Sequence, residues 1–133
     1  MSAEDEAACR AFLDDLPDTL ADQERRDDVK PDDALGAAYG DPAIIVRCGV
    51  GTPPGFTLES SCEEVNGVGW YVPPEQYDDQ GADATLYTAG YSPVVEVEVP
   101  AEYRPEGPAS VFGQLTPLVP DHLDFATRCK APE

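Results

Sequence analysis

The stretch Val94-Val95-Glu96-Val97-Glu98-Val99 sets three valines, Val95, Val97 and Val99, alternately with two glutamates. Successive side chains of a strand point to opposite faces, so this segment reads as a strand with one dry and one wet face. Strands of that kind belong to antiparallel sheets covered on one side. Ile44-Ile45-Val46-Arg47-Cys48 is a second, β-branched run, the pattern of a central strand. Between the two lies Asn66-Gly67, a hairpin signal, because a type I′ turn needs positive φ at both central positions. It joins a short strand near Cys62–Val65 to Val68-Gly69-Trp70-Tyr71-Val72, which Pro73-Pro74 ends. Thr85-Leu86-Tyr87-Thr88 reads as one strand more.

Helices are expected at the two ends. Cys9, Phe12, Leu13, Leu16 and Leu20 follow i, i+3, i+4, i+7 and i+11, a single apolar stripe that turns Cys9 inward. Glu4, Asp5 and Glu6 sit where the helix dipole favours negative charge. Pro17 predicts a break, with a further short turn over Asp18 to Gln23. Pro108 to Leu118 reads as the second helix, with Val111, Phe112, Leu115 and Leu118 on one face. Residues 22–42 are dense in Asp and broken by Pro31 and Pro42, which predicts an ordered surface crossing or a mobile loop with little to bury. The expected architecture is α+β, an antiparallel sheet of about five strands with N- and C-terminal helices packed on one face. Residues 1–133 are expected to form one domain.

Eight basic residues against 27 acidic ones give the chain a formal charge of −19. Such a surface repels phosphates, so nucleic acid and direct lipid binding are not expected. No apolar run is long enough to span a bilayer, and the start lacks a basic, then apolar leader. If the domain is exported, its targeting or anchoring segment is expected to have been removed, with Met1-Ser2 a cloning remnant.

Cys9, Cys48, Cys62 and Cys129 allow three pairings, among which spacing does not choose. The expected set is two disulfides, Cys48 with Cys62 and Cys9 with Cys129, the first cinching a loop and the second tying the ends. Four reduced, buried thiols are the alternative. A zinc site lacks support, with no C-x-x-C spacing and His122 the single histidine. Disulfides place the domain outside the cytoplasm, either secreted or membrane-anchored.

Catalytic signatures are sparse. Ser60, Ser61 and Ser92 have no G-x-S-x-G context. No catalytic residue and no cofactor are expected. Asp78 to Asp83 surrounds Gly81 with carboxylates, as calcium loops do, but lacks the register of an EF-hand, so no metal ligand is assigned. The candidate binding residues are Tyr71, Arg47 and Trp70. Alternation puts Trp70 towards the core and Tyr71 on the opposite face, where aromatics and arginines serve as interface anchors. Arg47 suits either an anionic ligand or a neighbouring carboxylate. The leading expectation is a module that binds an envelope protein or a cell-wall component. The alternatives are a small carboxylate-dependent hydrolase acting on envelope glycan, and a calcium-stabilised structural domain.

Several stretches together carry a resemblance: Cys9 through Leu16-Pro17, Gly40-Asp41-Pro42, Ile45-Val46-Arg47-Cys48-Gly49, Cys62, Val65-Asn66-Gly67-Val68-Gly69-Trp70 and Thr127-Arg128-Cys129. In these the chain resembles an actinobacterial, DUF3515-like family of membrane-associated, extracytoplasmic proteins of unknown function. The similarity covers nearly the whole sequence. It implies export and disulfide bonding, and members that begin with an apolar anchor. It carries over no catalytic residue.

Overall fold

The computed structural model describes residues 2–26, 35–51, 62–73, 82–104 and 106–125. Helix α1 (Ala3–Asp14) opens the chain, its first turn held by the Ser2 hydroxyl accepting from the Asp5 N–H at 3.1 Å. Strands β1 (Thr19–Leu20), β2 (Gln23–Arg26), β3 (Gly36–Tyr39), β4 (Ile44–Val50), β5 (Glu63–Val65) and β6 (Val68–Tyr71) follow. Next come β7 (Ala84–Ala89), β8 (Tyr91–Ser92) and β9 (Val94–Val99). A 3₁₀ turn (Ala101–Tyr103) leads to α2 (Glu106–Leu115), α3 (Leu118–His122) and β10 (Asp124–Phe125).

Eight strands form one sheet in the order β1-β2-β3-β4-β9-β7-β6-β5, and β10 pairs β8 in a separate ribbon. Every pairing among the described strands is antiparallel. The α+β expectation therefore stands, but eight sheet strands replace about five. The difference lies mainly at the front of the chain. The short turn expected over Asp18 to Gln23 is a tight hairpin between two strands, in which Leu20 pairs with Gln23, with Ala21 at φ 49° and Asp22 at φ 65°. Those are the left-handed angles of a type I′ turn, here made by residues that rarely announce one. The expected surface crossing contains β2 and β3, the latter buried at Ala37, Ala38 and Tyr39.

The inner face of the sheet packs against the helices. Ile44, Val46, Val95, Val97, Val99, Leu86 and Trp70 join Phe12, Leu13, Val111, Leu115 and Val119 in one core. Alternation along β4 puts Cys48 on this same face, beside Cys9 of α1. The two are bonded, with Cα atoms 5.5 Å apart. This corrects the expected pairing of Cys48 with Cys62 and of Cys9 with Cys129. The reason is facial: Cys48 shares the parity of Ile44 and Val46, whereas Cys62 is buried in a second cluster, with Tyr71, Tyr87 and Ala89. One disulfide, not two, is found among the described residues, none of whose cysteines is free. Cys129 lies outside the described residues. A bulge between Cys48 and Val50, with Gly49 at φ 91°, reverses the alternation, so Val50 pairs with Val94 and joins the second cluster.

Candidate functional site

The register builds a row across the outer face of the sheet. Gly36 of β3 stands opposite Arg47 of β4, Arg47 opposite Glu96 of β9, Glu96 opposite Tyr87 of β7, and Tyr87 opposite Tyr71 of β6. Glu98 lies one step along β9 on the same face, opposite Ile45 and Thr85. The helices pack on the other side, so this row belongs to the face they leave alone.

Arg47 is the hub. Its Nη1 donates to Glu96 Oε1 at 3.0 Å and lies 3.2 Å from Glu98 Oε2. The three side chains are 26%, 18% and 47% exposed, so the pair opens outward from Glu96 to Glu98. Partial burial works against the guanidinium charge. The hydrogen bond and charge of Glu98, then those of Glu96, outweigh it and raise the Arg47 pKa. At the other end of the row Tyr87 and Tyr71 are buried, their rings tilted at 35° with centroids 6.3 Å apart. Burial raises the Tyr87 phenol, and the charges of Glu96 and Glu98 and a hydrogen bond to Glu96 raise it further. Tyrosine, carboxylate and arginine are thus one connected network, running from a dry aromatic end to a wet ionic end.

Of the sequence candidates, Arg47 and Tyr71 stand on this row. Trp70 faces the other way. It is wholly buried, packs against Phe112 with ring centroids 5.3 Å apart, and donates from Nε1 to Thr116 Oγ1 at 2.9 Å. Glu96, Glu98 and Tyr87 are not among the residues that the sequence marks as a site. The Val-Glu alternation signals two outward glutamates, but only cross-strand register shows that Arg47 and Tyr87 flank them.

Most of the acidic loop suggested for calcium, Asp78 to Gly81, lies outside the described residues, as do Asp27-Asp28 and Asp32-Asp33. Its last member, Asp83, accepts the Ala101 N–H at 2.9 Å. Among the described residues no group of three His, Cys, Asp or Glu is placed to hold a metal ion, and no helix is long and apolar enough to cross a membrane. His122 sits against α1, with Nε2 2.9 Å from Asp15 Oδ2 and its ring edge-on to Phe12.

Sheet, one-sided helices and a buried staple define an α+β domain, and comparison places it in a family without an assigned activity. The chain belongs to the family described as "Protein of unknown function (DUF3515)", whose model matches residues 1–124. Neither the curated proteins nor the solved structures gave a match.

Proposed function

We propose that this chain is an extracytoplasmic binding module that holds an envelope protein or cell-wall component against the outer face of its sheet. The observation that carries the reading is Arg47, fixed between Glu96 and Glu98 on the two central strands and part-exposed. A site borne by paired strands is held more rigidly than one on a loop. Arginine and tyrosine are also among the residue types enriched at interface hot spots. Tyr87 and Tyr71 brace the ionic end from within the sheet. The Cys9–Cys48 bond is compatible with a location outside the cytoplasm, where such bonds persist.

A photocrosslinking side chain at position 45, opposite Glu98 on the same face, with position 4 on α1 as control, tests the face directly in intact cells and on purified cell wall. Crosslinks from 45 that disappear in Arg47→Ala, while position 4 stays silent, support the reading. Equal crosslinking from both positions, or none from 45 in either preparation, overturns it.

A further inference from the structure

β1 ends the sheet order on one side, so no strand flanks its outer backbone groups among the described residues. They are bonded nonetheless. The Gln114 side chain of α2 accepts from the Ala21 N–H through Oε1 at 2.7 Å and donates through Nε2 to the Thr19 carbonyl at 3.0 Å. The carbonyl before Leu20 and the N–H after it are the two groups that a single residue of a parallel neighbour engages in a ladder. The Gln114 amide therefore occupies the position of a residue in an added strand. Both bonds are exposed, so water already competes for them.

Beside this edge is a cleft of about 500 Å³ lined by Asp18, Thr19, Glu24 and Arg25. Thr19 and Glu24 are register partners and both are exposed, whereas Leu20 next to them is wholly buried in the core. The cleft thus lies at the open end of the β1–β2 hairpin, where the Asp18 carbonyl accepts from the Arg25 N–H at 2.9 Å, and takes in side chains of both faces. When an extended peptide joins a sheet edge, ladder bonds hold its backbone and adjacent pockets read its alternate side chains. Arg25, the one cation among the described lining residues, has its Nη1 3.4 Å from the Leu13 carbonyl at the end of α1. Two of the four lining side chains are carboxylates, in a chain of charge −19. An incoming cation is the complementary charge.

We propose that this edge docks an extended segment of a partner protein bearing a lysine or arginine. The segment adds parallel to β1, displaces the Gln114 amide from Thr19 and Ala21, and places its cationic side chain in the cleft beside Asp18 and Glu24. Gln114 acts as a latch that keeps the edge covered until the segment arrives, as helices and loops cover other exposed edges. This edge is separate from the Arg47 row.

The test is an NMR titration of the isotopically labelled full chain with a short peptide alternating threonine and lysine, and with its threonine–glutamate counterpart. The lysine peptide is expected to shift the Thr19, Leu20 and Ala21 amides and the Gln114 side-chain NH₂, and the glutamate peptide to leave them in place. Gln114→Ala, its fold checked by melting, is expected to tighten binding about threefold to tenfold, because a competing occupant is gone. Asp18→Asn with Glu24→Gln is expected to weaken it by about threefold to tenfold. Silence at Thr19 to Ala21 in wild type and in folded Gln114→Ala overturns the proposal, as do equal shifts with both peptides. Shifts confined to Arg47, Glu96 and Glu98 also overturn this edge, while leaving the outer-face reading intact.

Discussion

The Trp70–Thr116 contact shows how much rests on one polar atom in a dry setting. Both side chains are buried and the indole N–H has the Thr116 hydroxyl 2.9 Å away. Thr116→Val keeps the shape and removes the acceptor, leaving a donor sealed from water. It is expected to cost about 1–3 kcal/mol, read as a lower midpoint in urea. Three tyrosines speak to pH. Burial, named first in each case, raises the pKa of Tyr39, Tyr87 and Tyr103 above the ordinary 10.0. Around Tyr39, Arg25 opposes that shift and Asp18 adds to it. The charges of Glu96 and Glu98 add to it at Tyr87, and those of Glu102 and Asp41 at Tyr103. A phenol harder to ionise folded than unfolded stabilises fully below pH 10, and that contribution is lost as pH rises through the higher folded values. The melting temperature is expected to fall above pH 10, with a late phase in the phenolate absorbance. A single phase near 10 with a flat melting temperature would contradict this.

At the level of elements, two glycines of α2 make opposite predictions. At Gly113 a Cβ meets nothing within 4 Å, so Gly113→Ala removes only backbone freedom from the unfolded chain. A gain of about 0.5–1 kcal/mol is expected. At Gly107 a Cβ would lie 2.9 Å from the Tyr103 Cβ and 3.2 Å from Val99 Cγ1, so Gly107→Ala is expected to lose about 1–3 kcal/mol. Thermal melts of the two variants, moving in opposite directions, check the packing of α2 on β9. Elements with a strong period were legible from sequence: the β5–β6 hairpin and β9 stand where their patterns put them. By contrast α1 stops at Asp14, short of Leu16 and Leu20, and the helix expected over Pro108 to Leu118 runs Glu106–Leu115, with Leu118 opening α3. The front strands were not. Gln23-Glu24-Arg25-Arg26 has no apolar alternation, and Gly36-Ala37-Ala38 has little side chain to show one. These segments are strands through pairing with neighbours, which no local propensity reports. The site was half legible for the same reason. Arg47 and Tyr71 drew notice as residue types, while the row linking them through Glu96 and Tyr87 exists only in the register.

For the molecule as a whole, the Cys9–Cys48 bond is the main covalent constraint described. It closes a loop of sequence separation 39 between two buried sulfurs. In the chain-entropy model a loop of that size contributes about 4 kcal/mol, so Cys9→Ala with Cys48→Ala is expected to lose at least that in denaturant unfolding. With those two sulfurs joined, arithmetic leaves Cys129 as the intramolecular partner for Cys62. Peptide mapping without reductant is expected to return Cys9–Cys48 and Cys62–Cys129. A Cys48–Cys62 peptide would refute both. Parity along β4 contained the first pairing all along, since Ile44, Val46 and Cys48 share a face with the helix that carries Cys9. The idea of a bridge that cinches the loop between Cys48 and Cys62 pointed the wrong way.

The same bond turns residues 9–48 into a closed ring that contains both halves of the β1–β2 hairpin. A protease that cuts once inside the ring, after Arg26 for instance, makes two polypeptides that still migrate together on a gel. Only a reductant sets the amino-terminal fragment loose, so nicked and intact molecules are expected to look alike until thiol is added.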